Sequence, residues 1–454
     1  MKKQKETRLV LPREEWPYEV PKNWVWTTIA SIFDVTSSKR VHKDDWLKEG
    51  IPFYRTRELV KLSDYGTVDN ELFISREMYE AFKKNFGVPQ IGDILISGVG
   101  TIGVPFEIQS NDEFYFKDGN VVWFKKKKTV NSRYIYHLYK SEFLTNQLHN
   151  MSGGTTVDTY TIVNAKRTLI PLPPLPEQQR IVARIESLFS KLDTTAEKIR
   201  AALDQFPIRK AAILHKAFTG ELTKKWREEH GVGMESWERK TFQNLGETKL
   251  GKMLDKAKNL GHPTKYLRNI NVRWFSFSFE DVLELLATED ERKKFSIEDG
   301  DVLICEGGEP GRCAVWTNGP NTFIYQKALH RFRPYPDNLS QFIAYNLYYL
   351  SISGKLESYY TGTTIKHLTG KSLAKLSVPV PTLPEQKEIV RILDVIFDRE
   401  QKAKEAAEHL LENIDLTKKS ILARAFRGKL GTNDPKEASA EGLLKYSYHK
   451  EVSK

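Results

Sequence analysis

The sequence predicts an α+β chain with an internal pseudo-twofold repeat: two homologous mixed α/β domains joined by two long, antiparallel coiled-coil helices. Three observations predict it. Landmark segments recur at one constant offset, each copy ends in a long stretch with apolar steps of three and four, and the residues before each stretch mix strand-like and helical runs.

The repeat comes first because a missed repeat misassigns the whole fold. "LPEQQRIVARI" from Leu175 returns as "LPEQKEIVRIL" from Leu383, 208 residues later. The same offset relates "KAAILHKAFTGEL" from Lys210 to "KKSILARAFRGKL" from Lys418, and "GDILIS" from Gly92 to "GDVLIC" from Gly300. It also relates "GTT" at Gly154 and Gly362, and places prolines 171, 173 and 176 on prolines 379, 381 and 384. Farther upstream, "FYRTREL" from Phe53 and "YLRNINV" from Tyr266 match at an offset of 213, so the early loops differ in length. Between landmarks the copies diverge strongly, as expected of equivalent modules that do one job on different targets.

The expected division is an N-terminal extension (1–20), a mixed domain (21–173), a helical segment (174–222) and a linker (223–236). A second mixed domain (237–381), a second helical segment (382–430) and a C-terminal tail (431–454) follow. In the first mixed domain "DILIS" and "NVVWFKKKK" read as strands bounded by Gly, Asn and Asp, and "SRYIYHLYKSEFLTNQL" has helical spacing. Pro176 and Pro384 suit a helix entrance, with Glu177 and Glu385 in its first turn.

The first long helix carries a seam at Ile181, Ile185, Leu188, Leu192, Thr195, Ile199, Ala202 and Phe206. The second carries Ile389, Leu393, Ile396, Glu400, Ala403, Ala407, Leu410 and Ile414 at the matching places, with Glu400 interrupting it. Pairing of the two with each other is the favoured reading over two separate amphipathic helices. Pro207 is expected to kink or briefly break the first helix. From Glu177 to Phe218 that helix would span about 60 Å.

Composition bounds the function. The 454 residues exceed one ordinary core, and 70 Lys+Arg against 59 Asp+Glu leave a formal +11, which suggests an anionic partner, most commonly nucleic acid. Only Cys305 and Cys313 are present, too few for a zinc site. The basic N-terminus lacks the apolar run of a signal peptide, and no stretch reaches eighteen apolar residues. A soluble, cytoplasmic protein with no membrane association is expected. Antiparallel helices would relate the two modules by a pseudo-twofold axis, the symmetry of double-stranded DNA, whose dimeric readers dock on separated half-sites.

The "PLPPLPEQQRIV" and "VPTLPEQKEIV" entrances, the "KAFTGEL" and "RAFRGKL" exits and the "GDILISGVGTIG" element resemble the specificity subunit of type I restriction–modification systems. The resemblance runs from about Trp24 to Leu430, and Trp24 and Trp237 fit the phrase that opens such modules. It implies two target recognition domains, each reading half of a bipartite, asymmetric DNA sequence. It implies that the helices space those domains and dock two methyltransferase subunits, with restriction and translocation subunits recruited to the complex. It also implies no catalytic residue, no metal and no cofactor in this chain, S-adenosylmethionine, ATP and Mg being held by the partners. The residues agree with that absence. The one Pro-Pro pair, Pro173-Pro174, lacks the flanks of an amino-methyltransferase loop, and no phosphate-binding G-x-x-x-x-G-K-[ST] occurs. A non-catalytic protein scaffold and a sequence-independent DNA-binding protein are the alternatives.

Candidate DNA contacts follow from residue type, with Lys and Arg for phosphates and Arg, Lys, Asn and Gln for base edges. In the first module these are Lys39, Arg40, Lys43, Arg55, Arg57, Lys83, Lys84, Thr155 and Thr156. In the second they are Lys252, Lys256, Lys258, Lys265, Arg268, Arg312, Thr363, Thr364 and Lys366. Arg55 and Arg268 occupy equivalent positions, so a shared structural salt bridge is a rival reading for both. Gly98, Gly100 and Gly103 spell G-x-G-x-x-G, but the second copy has Glu306, Gly308 and Gly311. A strand running into a glycine corner is therefore expected, and no nucleotide cradle.

Overall fold

A computed structural model describes residues 9–127, 130–151, 158–254, 260–317 and 323–445. It divides into two compact units, one of residues 1–198 and 410–454, the other Ile199–His409. Each unit therefore takes one mixed domain, one end of the first long helix and the opposite end of the second.

In the first unit, strands Phe33–Thr36, Val121–Lys126, Ile94–Ser97 and Pro105–Glu107 form an antiparallel sheet in that order. A three-stranded sheet places Ile51–Tyr54 between Phe73–Ile74, antiparallel, and Tyr115–Phe116, parallel. Val25–Thr28 pairs with Leu169–Leu172, which leads into the long helix. The "SRYIYHLYKSEFLTNQL" segment forms two helices, Ser132–Tyr139 and Glu142–Met151. Tyr134, Ile135 and Leu138 of the first pack into the apolar core beside Ile94, Ile96 and Phe124.

The second unit repeats this order strand for strand. Gly246–Leu250, Leu329–Pro334, Val302–Cys305 and Cys313–Val315 form its four-stranded sheet. His262–Leu267 lies between Leu283–Ala287 and Ile324–Tyr325, again with one antiparallel and one parallel pairing. Glu238–Thr241 pairs with Ser377–Val380. An added hairpin, Val272–Arg273 with Ser276–Phe277, has no counterpart among the described residues of the first unit. A shared strand order at diverged sequence is what a duplication leaves when apolar pattern is kept and loops vary.

The long helices are Leu175–Phe218 and Leu383–Ala425. They pack together within each unit and run antiparallel. In the first unit Ile181, Val182 and Ile185 share a core with Leu422, Ala425 and Phe426, and Asp193 pairs with Lys418. In the second, Leu214, Ala217 and Phe218 share a core with Ile389, Val390 and Leu393, and Arg209 meets Glu400 at 3.1 Å. The seam's interrupting carboxylate is thus an interhelical ion pair.

Two expectations are corrected. Pro207 does not interrupt the first helix. The proline removes the N–H that would bond the Leu203 carbonyl, but Pro207 is exposed, where loss of one backbone bond is least costly. The seam also drifts from a strict seven-residue repeat. Ile181 and Ile185 are buried and Leu188, Leu192, Ile199 and Phe206 half-buried, yet Thr195 and Ala202 face solvent while Ala196 and Leu203 turn inward. On the second helix Ile389, Leu393 and Ile414 are buried and Ile396 half-buried, but Leu410 is 52% exposed and Leu411 takes its place. A straight helix of 3.6 residues per turn drifts about 20° per heptad, so the apolar stripe departs from a strict seven-residue repeat along helices of this length.

Candidate nucleic-acid interface

The "LPEQ" entrances explain how each mixed domain is fixed to the helices. Glu177 is fully buried and accepts the Trp24 Nε1–H at 2.8 Å and the Asn433 amide at 2.6 Å. Glu385 is equally buried and accepts Trp237 Nε1–H at 3.0 Å, the Thr223 hydroxyl at 2.7 Å and Arg227 Nη1 at 2.6 Å. The neighbouring glutamines do the same work twice. Gln178 accepts the Asn131 N–H and donates to the Pro173 carbonyl; Gln386 accepts the Leu339 N–H and donates to the Pro381 carbonyl. The motif that marks the repeat is a docking clamp, and its carboxylates are consumed by it.

The glycine corner is a hairpin. Strand Ile94–Ser97 turns back into Pro105–Glu107, with Gly100 and Gly103 at φ +78° and +80°. Gly308 and Gly311 repeat this at +80° and +92°. A Cβ on Gly103 would strike Leu148, and one on Gly311 would strike Leu356, the residue 208 positions later. Gly98 serves another purpose, exchanging backbone bonds with Asn120 and Tyr160; Glu306 makes the same bonds to Ala328 and Leu368. No special conformation is needed at that position, which is why a carboxylate can stand there.

Beside this corner, in each unit, the middle strand of the three-stranded sheet ends in a second one. The Arg55 guanidinium closes on Glu58 at 2.8 Å, and Arg57 adds a bond to the same carboxylate at 2.9 Å. Burial opposes ionisation of Glu58, but the arginine bonds outweigh it and hold its carboxyl at about 2. At the equivalent place Arg268 meets Asp281 at 2.7 Å. The rival structural reading therefore describes Arg55 and Arg268.

Two further expected contacts are committed inside the protein. Lys252 is buried with its ammonium on Glu291, and Arg312 is mostly buried between Glu309 at 2.9 Å and the Asn269 carbonyl. In these two, as in Arg55 and Arg268, the cation is held by a carboxylate or carbonyl of the protein itself.

The remaining basic residues are on the surface. Lys39, Arg40 and Lys43 lie together along 39–43; Arg40 reaches Asp118 at 2.9 Å with its side chain still 69% exposed. Arg57 is 53% exposed, Lys83 bridges Glu80 and Glu113 at the long distances of 3.8 and 3.9 Å, and Lys84 is exposed. In the second unit Lys265 is exposed on its strand. Thr363, Thr364 and Lys366 form the tip of a loop closed by a Thr361–His367 bridge, and all three face solvent. Thr155, Thr156, Lys256 and Lys258 lie outside the described residues. Sequence reasoning missed Asn269 and His367, which the fold brings beside Gly308 and Gly307, and Ile270, the neighbour of Asn269 in the chain. The only available signal was their place in the repeat, since none is basic in a way that charge counting weighs.

Among the described residues no group of three or more His, Cys, Asp or Glu could hold a metal ion, and no helix is long and apolar enough to cross a membrane. Burial pushes the Cys305 thiol up to about 11, far from a reactive thiolate.

Comparison with known proteins agrees with this geometry. The family described as "Type I restriction modification DNA specificity domain" matches residues 21–205 and again 234–409. The chain is similar to the type I restriction enzyme EcoKI specificity subunit of Escherichia coli K12, 28% identical over 323 residues, 67% of each chain. Its fold resembles that of the HsdS subunit from Thermoanaerobacter tengcongensis, with a TM-score of 0.61 at 19% identity over 91% of this chain and 99% of that one. It also resembles a chain solved in work on complex assembly and conformational transition of the type I R-M system. There the TM-score is 0.68 at 20% identity, over 91% of this chain and all of the other.

Proposed function

The chain belongs to the type I restriction–modification DNA specificity family, and on that premise we propose that each mixed domain reads one half of a bipartite, asymmetric DNA target. The observation that carries this is the repeated framework. Strand order, glycine corner and arginine corner are the same in both units, while the residues displayed on them differ. A protein scaffold or a sequence-independent binder has no use for two diverged faces on one frame. We infer that the length of the long helices sets the unread gap between half-sites.

The chain supplies specificity and no chemistry. Methyl transfer with S-adenosylmethionine, and ATP- and Mg-dependent translocation and cleavage, belong to methyltransferase and restriction subunits in the cytoplasm. The helices carry a matched pair of docking points for such partners. Ile208 is 61% exposed, and Leu416, at the same place in the repeat, is 60% exposed. Their equivalence in the repeat, rather than their exposure, is what suits two copies of one subunit. Footprinting of the complex formed with its methyltransferase partner tests the reading: two protected segments separated by an open gap are expected, and one continuous segment overturns it.

A further inference from the structure

Both arginine corners hold a pair of residues out on a rigid frame, and the two pairs differ. In the second unit the Arg268 N–H donates to Asn271 Oδ1 at 2.9 Å, and Asn271 Nδ2 donates to the carbonyls of Ser278 and Asp281 at 3.0 Å each. In the first the Arg55 N–H donates to Glu58 Oε2 at 3.0 Å. Between the framing residues stand Thr56–Arg57 in one copy and Asn269–Ile270 in the other. We propose that this displayed pair determines sequence specificity in each domain, with Asn269 reading a base edge of the half-site bound by the second. The proposal rests on the half-site reading above.

Asn269 is built for such a contact. Its backbone carbonyl is fixed by Arg312 Nη2 at 2.9 Å, yet among the described residues its side-chain amide has no hydrogen-bond partner. That amide lies over a stretch of backbone without side chains. A Cβ on Gly308 would stand 3.1 Å from Asn269 Nδ2, and one on Gly307 would stand 3.1 Å from His367 Nδ1. The two glycines therefore leave a floor between an amide and an imidazole, beside the exposed tip at Thr363–Lys366. An asparagine amide offers one donor and one acceptor, the pattern that matches adenine N6 and N7 in the major groove. Ile270, 39% exposed, adds an apolar surface of the kind that meets a thymine methyl. In the first unit Arg57, braced by Glu58 and by Glu71 at 2.8 Å, presents a guanidinium, which matches guanine O6 and N7. At Asn269 the rigid support lies below a free polar tip, which is what readout of one base requires.

The test uses the full chain with its partner subunits, expressed in a host without other DNA methylation, with methylated positions mapped across the genome. Asn269→Ala is expected to relax one base position of one half-site, losing about ten-fold discrimination there, and to leave the other half-site unchanged. Arg57→Gln is expected to relax the opposite half-site. Asn269→Asp, which keeps the shape but replaces the donor, guards against misfolding and is expected to alter the same single position. An interrupted wild-type motif that both Asn269 variants methylate with unaltered discrimination overturns the assignment, as does equal loss at both half-sites. An uninterrupted wild-type motif overturns the half-site reading itself, and the assignment with it.

Discussion

Removing Arg227 isolates what the "LPEQ" clamp contributes. Its guanidinium meets Glu385 at 2.6 Å, with exposures of 7% and 0% for the two side chains, and also bonds the Gly220 carbonyl at 2.6 Å. In Arg227→Met the aliphatic volume stays and the charge goes, leaving a buried carboxylate with only Trp237 and Thr223 as donors. Breaking one side of such a pair costs about 3–5 kcal/mol. For a unit the size of Ile199–His409, each kcal/mol moves the midpoint by about 2–4 °C, so calorimetry should show a fall of roughly 10 °C. Adding Glu385→Gln to Arg227→Met removes the stranded charge and should recover a good part of the loss. A shift of the single variant below about 2 °C, or no recovery in the double, would refute the claim that this pair fastens the domain to the helix.

Three further outcomes follow from the same structure. Ile208→Glu and Leu416→Glu should each remove one methyltransferase copy from the complex, measured by mass photometry; full retention by both contradicts the matched docking points. Deleting seven residues from each long helix, between Asp193 and Arg209 and between Glu400 and Lys418, removes about 10 Å of each. The unread gap should then shorten by about three base pairs on methylation mapping, and an unchanged gap sinks the spacer role. Glu58 titrates at about 2 in the fold against an ordinary value near 4.5. Its depressed value contributes stability that is present above about pH 4.5 and is lost as pH falls toward 2, up to about 3 kcal/mol. Acid unfolding of the first unit should lose that window in Glu58→Gln.

The architecture was legible because the duplication was: an offset of 213 upstream and 208 from Gly92 onward puts the strands of one copy on their counterparts in the other, whatever the side chains. The glycine corner was legible for the same reason, since Glu306 in place of Gly98 removed the nucleotide reading. Charge was a poorer guide. Lys252, Arg268 and Arg312 are indistinguishable in sequence from surface cations, and only the fold shows Glu291, Asp281 and Glu309 beside them. The partners lie 39, 13 and 3 residues away, at separations set by loops that one sequence does not constrain. Leu410 misled for a simpler reason. A strict heptad extrapolated across a 43-residue helix accumulates drift that a straight helix does not correct.

Replacing the second mixed domain with a copy of the first, and mapping methylation by the assembled complex, shows whether each domain reads one half-site. Because the helices run antiparallel, the asymmetric motif should become an inverted repeat of a single half-site across a gap. Persistence of the original asymmetric motif would contradict it.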